Sequence, residues 1–141
     1  MSKDDKFLEI SNYILGKPCI ADICILIQHF CIEAWALGNR TIIRRNPSDT
    51  ELKTYLRIYD VRSNDPEQLP FYNQYTRSQF ALRYLHKAVN DLNSRLTYSK
   101  RNPRILTQPG YFSQMRNRLR DTGHIQSFQI FVNIFFRDTE P

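Results

Sequence analysis

Glycine is scarce in this sequence, with four residues in a chain of 141. A phosphate-binding loop, a dinucleotide-binding turn or a flexible linker needs glycines clustered at short spacing, and no such cluster is present. The nucleophile-elbow and H-E-x-x-H patterns are missing as well, and the three histidines are scattered. The sequence therefore predicts a protein that is not an enzyme and needs no cofactor.

Cysteine is also sparse, and its pattern disfavours two structural roles. Cys19, Cys24 and Cys31 are odd in number, which argues against a disulfide framework, and they fall short of the four ligands of a structural zinc site. We expect them to be small core residues, and we expect no metal site. Asp4 and Asp5 are atypical of a secretory or mitochondrial leader. These features predict a cytoplasmic, reducing location.

The most apolar segment, residues 19–37, is interrupted by charged groups. Asp22 and Glu33 would each cost about 2.5–3.5 kcal/mol at the centre of a bilayer, so the segment is not a membrane span. As a helix it would be apolar almost all round, which is typical of a buried element. We therefore predict a central helix over residues 19–37 and no membrane partner.

Helical periodicity dominates the rest of the chain and predicts a mainly α fold. The strongest pattern covers residues 76–98 and predicts a long amphipathic helix. Its apolar stripe is formed by Ala81, Leu85, Ala88, Leu92 and Leu96. Shorter helices are expected at residues 4–15, 48–62 and 111–120. Ser48 and Glu51 have the spacing of a capping box. We predict a single domain of residues 1–141 with five to six helices, in which the long helix packs across the central one.

Residues 125–136 fit either a helix or a strand. Phe128, Ile130 and Val132 alternate with other side chains as in a strand, and β-branched and aromatic residues favour strands locally. A strand needs a partner, however, and the candidate partners are short, so we favour a buried helix. In either state the segment must be covered, because an exposed segment of this composition would aggregate.

The central and C-terminal segments together carry more apolar surface than one small domain covers easily. We therefore expect a homodimer or higher oligomer. Large aromatic side chains are typical of such interfaces, and we select three of those in these segments as candidates. The predicted interface residues are Trp35, Phe131 and Phe135.

Positive charge is concentrated in the second half of the chain. Residues 71–141 hold 11 Lys and Arg against four Asp and Glu, whereas residues 1–70 hold nine against ten. A basic half suits the phosphates of DNA or RNA, and we predict a nucleic-acid-binding module. The alternative is a helical adaptor or scaffold whose basic face docks an acidic partner protein. The predicted phosphate contacts are Arg95, Lys100, Arg101, Arg104, Arg116, Arg118 and Arg120.

Leu119, Gly123 and Ile125 match the Leu-x-x-x-Gly-x-Ile pattern at the end of a winged-helix recognition helix. The segment 116–128, RNRLRDTGHIQSF, therefore resembles that family. The resemblance implies an α+β fold with a wing strand where residues 125–136 lie. It also implies groove-facing side chains at Gln114, Arg116, Asn117 and Arg118.

Overall fold

The computed structural model describes residues 2–17, 23 and 25–136. Within these residues the fold is mainly helical and contains no β-sheet, which confirms the predicted class. The α-helices are α1 (Lys3–Leu15), α2 (Ile32–Ala36), α3 (Thr50–Ile58), α4 (Arg77–Leu92), α5 (Tyr111–Thr122) and α6 (Gln126–Phe135). Short 3-10 turns occur at Arg40–Ile42, Pro66–Gln68 and Arg104–Thr107.

The predicted central helix over residues 19–37 is wrong over residues 25–31, which are not helical. The part of that prediction that falls on residues 19–22 and 24, which include two of the three cysteines, lies outside the described residues. Among the described residues of this segment, only α2 is helical. It nevertheless lies at the centre of the fold, because four of its five residues are buried and it packs against α4.

Tertiary contacts hold the segment before α2 out of the helical conformation. The backbone N–H of His29 donates to Ser127 Oγ at 3.3 Å, and Ser78 Oγ donates to the carbonyl of Phe30 at 3.4 Å. The guanidinium of Arg77 lies 4.5 Å from the ring centroid of Phe30. Side chains of α4 and α6 therefore satisfy backbone groups that a helix would pair internally, and they hold Phe30 at φ 54°.

The long amphipathic helix is present but ends earlier than predicted, at Leu92 instead of residue 98. Asn93 is extended, and its Oδ1 accepts from the N–H of Arg95 at 3.0 Å, in a turn that competes with the helix. Arg44 Nη2 donates to the carbonyl of Leu92 at 2.8 Å and satisfies one of the terminal acceptors. The predicted packing of the long helix across the central segment is confirmed between α4 and α2.

The helix predicted over residues 48–62 is present as α3, but it runs only from Thr50 to Ile58, and its cap lies one residue beyond the predicted Ser48. Asp49, and not Ser48, caps the helix by accepting from the N–H of Leu52 at 2.8 Å. The N–H groups of Ser48 and Asp49 both donate to Asp91 Oδ1 of α4, at 2.8 and 2.7 Å. The predicted capping box is therefore wrong, because a carboxylate of α4 fixes the backbone at this point and shifts the cap.

Residues 126–135 form a helix, as we favoured, and no wing strand follows α5. The winged-helix resemblance is therefore wrong about the fold of this segment. Ile125 precedes the helix at φ 52° and provides no side-chain cap. A remote loop supplies the acceptors: the N–H of Ser127 donates to Glu67 Oε1 at 3.0 Å, and the N–H of Ile125 donates to Asp65 Oδ1 at 3.1 Å.

Two aromatic clusters fill the core. In the first, which joins α3 and α4, neighbouring ring centroids lie 5.0–5.7 Å apart. Its members are Tyr55, Tyr72, Phe80 and Tyr84. The second joins α2, α5 and α6 and contains Trp35, Phe112, Phe128 and Phe131. Among the described helices, none has the length and apolarity needed to cross a bilayer.

Candidate nucleic-acid interface

Helix α5 carries three of the predicted phosphate contacts and separates them. Arg116 and Arg120 are four residues apart and line one groove, whereas Arg118 is fully buried. Two residues along a helix turn a side chain through roughly 200°, which places Arg118 on the far side of α5. The three arginines cannot be distinguished by their charge in the sequence, whereas the fold buries Arg118 and places Arg116 and Arg120 in the groove.

Arg118 is a structural residue with 0% of its surface exposed. Its Nη2 donates to the carbonyls of Val61 at 2.7 Å and Asn64 at 3.0 Å, and its Nε donates to His124 Nδ1 at 3.1 Å. Burial lowers the pKa of Arg118, and the charge of Arg40 contributes in the same direction. The guanidinium joins α5 to the loop after α3, so it is not available to a phosphate at the surface.

The contact between His124 and Arg118 predicts a loss of stability in mild acid. Burial first, and the Arg118 guanidinium second, lowers the pKa of His124 below its ordinary value of 6.5. Between the folded-state pKa and 6.5, the unfolded chain binds a proton that the folded chain does not bind. The free energy of unfolding therefore falls as the pH drops from 6.5 towards the lower folded-state pKa. Above pH 6.5 the imidazole is neutral in both states and adds no pH dependence.

Urea unfolding, followed by the fluorescence of the single tryptophan, measures this effect from about pH 8 to about pH 5. We expect His124→Gln to reduce the loss on the acid side, because glutamine does not titrate. Equal pH profiles for the variant and the parent protein would contradict the prediction.

A groove of about 700 Å³ lies between α5 and α6. Its polar lining comes from both helices and consists of Ser113, Arg116, Asn117, Arg120, Gln129 and Asn133. Gln129 Nε2 donates to Asn133 Oδ1 at 2.7 Å. The apolar lining is formed by Leu119, Val132 and Phe136. Guanidinium groups suit phosphate oxygens, and side-chain amides can pair with base edges, so the lining has the chemistry of a nucleic-acid site.

Arg40 is a basic residue near this groove that the sequence analysis missed. The 3-10 turn at Arg40–Ile42 packs against α5. Arg40 Nη2 lies 3.1 Å from Asp121 Oδ2, and Arg120 Nε lies 3.2 Å from Asp121 Oδ1. One carboxylate is thus shared by two exposed guanidinium groups, which leaves positive charge at this end of α5. Arg40 lies in the charge-balanced half of the chain, so the charge distribution did not point to it.

The segment 99–104 displays a second group of cations on a tight turn. The backbones of Ser99 and Asn102 bond to each other in both directions, at 3.3 and 3.0 Å, and Lys100 and Arg101 occupy the tip. Lys100, Arg101, Arg104 and Arg95 are all exposed. Within the described part of the chain their side chains make no ion pair or hydrogen bond. These four predicted contacts therefore lie where a polyanion could reach them.

Two cations on the polar face of α4 form ion pairs with one carboxylate. Arg83 Nη2 lies 3.0 Å from Glu51 Oε1, and Lys87 Nζ lies 2.9 Å from Glu51 Oε2. Hydrogen bonds from Tyr55 and then from Lys87 lower the pKa of Glu51 to about 2, so this carboxylate stays charged. The paired cations leave less positive charge on α4 than its sequence indicates.

The three predicted interface aromatics lie in different environments. Trp35 is 5% exposed, and its Nε1 donates to Ser127 Oγ at 2.7 Å, so it packs inside its own chain. Phe131 is partly buried and stacks 5.9 Å from Phe128. Phe135 is 64% exposed. Of the three, Phe135 is the side chain most accessible to a partner.

Within the described ranges, no group of three His, Cys, Asp or Glu side chains is placed to hold a metal ion. Comparisons with models of protein families, with curated proteins and with solved structures find no match for this chain. The chemistry of the groove is therefore the basis for assigning a function.

Proposed function

We propose that the protein is a non-enzymatic module that binds nucleic acid in the groove between α5 and α6. The observation that carries the proposal is that Arg116 and Arg120 line one groove whose other polar groups are amides and a hydroxyl, while Arg40 is joined to Arg120 through Asp121. Guanidinium groups bind phosphate oxygens through two parallel hydrogen bonds and contribute affinity for any sequence. This combination of positive charge and hydrogen-bonding groups suits a nucleic acid whose bases can be recognised through hydrogen bonds.

A single strand fits the groove better than a duplex. Asn117, Gln129 and Asn133 supply donors and acceptors for the Watson–Crick edges of bases, which are accessible only in unpaired nucleotides. Phe136 adds an aromatic ring on which a base can stack. The cations of the 99–104 turn, with Arg95, would contact further phosphates of a longer strand. A reducing cytoplasmic location is part of the same proposal.

Electrophoretic mobility titrations test the proposal with single-stranded RNA, single-stranded DNA and duplex DNA of about 20 nucleotides. We expect binding at about 50 mM salt that weakens at least tenfold by about 200 mM, because phosphate contacts release counterions. The double variant Arg116→Glu/Arg120→Glu should lower the affinity for single strands by at least about tenfold. No shift with any of these nucleic acids at the lower salt would overturn the proposal.

A matched control separates the groove from net charge. Lys53 and Arg57 are also four residues apart and exposed, on α3. The double variant Lys53→Glu/Arg57→Glu changes the formal charge by the same amount. We expect it to retain most of the affinity. Equal losses in the two double variants would show that binding follows overall charge and would remove the groove from the proposal.

A second candidate, a homo-oligomeric adaptor, is favoured by one observation. Helix α1 exposes large apolar side chains along its length: Phe7, Leu8, Ile10, Tyr13 and Leu15. Exposed apolar side chains of this size and number are typical of a protein-binding surface. If the titrations show no nucleic-acid binding and light scattering shows an oligomer, the adaptor is the better function. A monomer at low micromolar concentration would argue against self-association.

A further inference from the structure

A second pocket, of about 460 Å³, lies away from the α5–α6 groove. It is bordered by the segment that leads into α2 and by the turn 99–107. Its lining residues are Gln28, Phe30, Cys31, Ile32, Glu33, Tyr98, Lys100, Pro103 and Leu106. The pocket therefore combines an apolar wall with one carboxylate, one phenol, one thiol and one ammonium group.

Glu33 is the residue that most needs a partner in this pocket. Its side chain is fully buried, and its Oε1 accepts from Tyr98 Oη at 3.0 Å. Its Oε2 has no hydrogen-bond partner among the described residues. A buried carboxylate oxygen without a donor is costly, and such oxygens are almost always paired in folded proteins. A donor that enters the pocket would complete the hydrogen bonding of this carboxylate.

Among the described neighbours, the Cys31 thiol contacts the Glu33 side chain, but a thiol is a weak donor, so a stronger donor can still improve the hydrogen bonding of this carboxylate. Burial raises the pKa of the Cys31 thiol to about 11, with a smaller contribution from the Glu33 carboxylate, so the pocket is not lined by a thiolate. Burial and the same carboxylate raise the pKa of Tyr98, which remains a neutral hydroxyl. Lys100 lies on an exposed turn, and among the described residues no ion pair joins it to Glu33. Among the described lining residues, Glu33 is the only carboxylate.

The backbone at the edge of the pocket is held in an unusual conformation. Phe30 has φ 54°, a value that is uncommon for an aromatic residue, and contacts from Arg77 and Ser78 keep it there. Strained backbone of this kind concentrates at binding and catalytic sites. The strained residue and the unpaired carboxylate border the same pocket.

We propose that this pocket binds a small aliphatic molecule through a protonated amine, which donates to Glu33 Oε2. The alkyl part would lie against Phe30 and Leu106, and a second, anionic group on the molecule would face Lys100. Binding requires the amine, whereas the anionic group increases the affinity further. This site is separate from the α5–α6 groove and does not depend on nucleic-acid binding.

Three probes of similar length separate these contributions: pentylammonium, ω-aminopentanoate and pentanoate. Saturation-transfer NMR, together with amide chemical shifts of the protein, measures their binding. We expect pentylammonium to bind in the millimolar range, as is usual for so small a molecule, and ω-aminopentanoate to bind more tightly. Pentanoate should not bind measurably. Failure of both amines to bind, or equal binding of pentanoate, would overturn the proposal.

Two variants test the assigned residues. Glu33→Gln keeps an acceptor for Tyr98 but removes the charge, and it should weaken binding of both amines at least about tenfold. Lys100→Glu lies on the exposed turn, so it tests the site without disturbing the core. It should strengthen pentylammonium binding about two- to fivefold and abolish the advantage of ω-aminopentanoate. Unchanged amine binding in Glu33→Gln, or weaker pentylammonium binding in Lys100→Glu, would contradict the assignment.

Discussion

Replacement of Arg118 by methionine is expected to lower the free energy of unfolding by about 2–4 kcal/mol. Methionine fills much of the volume of the arginine stem but cannot donate to the carbonyls of Val61 and Asn64, which now accept from Nη2. The carbonyl of Val61 would remain buried without a donor, and such a group costs about 1–3 kcal/mol. Urea unfolding followed by the fluorescence of Trp35, which is buried in the core, measures the change.

Arg120→Met is the matched control for this prediction. Arg120 lies two residues further along the same helix, its side chain is 73% exposed, and it contacts Asp121 at the surface. The same substitution there should change the free energy of unfolding by less than about 0.5 kcal/mol. If the two variants had equal stability, the inward orientation of Arg118 would be wrong. Arg118→Met also tests whether Arg118 matters for nucleic acid, because a folded variant should keep its affinity for single strands.

Glu67→Ala is expected to cost about 2–4 kcal/mol and to loosen α6 in particular. Glu67 Oε1 accepts from the hydroxyl of Ser127 at 2.5 Å and from its N–H at 3.0 Å. The Ser127 hydroxyl in turn accepts from Trp35 Nε1 at 2.7 Å. Alanine would remove the remote cap of α6 and leave the hydroxyl of Ser127 without its acceptor. Hydrogen exchange should show earlier opening of the first turn of α6, and urea unfolding measures the total loss.

Glu67→Gln distinguishes the loss of the acceptor from the loss of the charge. Glutamine retains an oxygen for both donors of Ser127, but hydrogen bonds to a neutral acceptor are weaker than those to a carboxylate. We expect a loss of about 1 kcal/mol and little change in the exchange rates of α6. If Glu67→Ala were as stable as Glu67→Gln, or if α6 kept its protection in Glu67→Ala, the remote cap would not be what holds this helix in place.

Local sequence patterns were sufficient for several helices. The predicted 4–15 and 111–120 segments correspond to α1 and α5, and the helix predicted from residue 76 begins at Arg77 after a Thr76 cap. These helices have amphipathic faces together with local start signals or stop signals, which act within one or two turns of the chain. The choice of helix over strand at residues 126–135 was correct, although the sequence contains no cap for it.

The candidate sites depended more strongly on the fold. Sequence charge alone selected Arg116, Arg118 and Arg120, and only the packing of α5 separates the buried arginine from the two that line the groove. The sequence could not indicate Arg40, because a 3-10 turn distant in the chain brings it to α5. The pocket at Glu33 was hidden for the same reason, since its lining comes from two segments about 65 residues apart along the chain.

The sequence by itself determined that this protein is mainly helical, that its positive charge is concentrated in the second half, and that α4 is its longest helix. The tertiary structure decided that residues 25–31 are not helical, that α4 ends at Leu92 and that Arg118 is buried. The physical reason is the distance over which each effect acts. Periodicity and capping act between residues three or four apart, whereas Ser127, Ser78 and Glu67 satisfy backbone groups of segments that are remote in sequence.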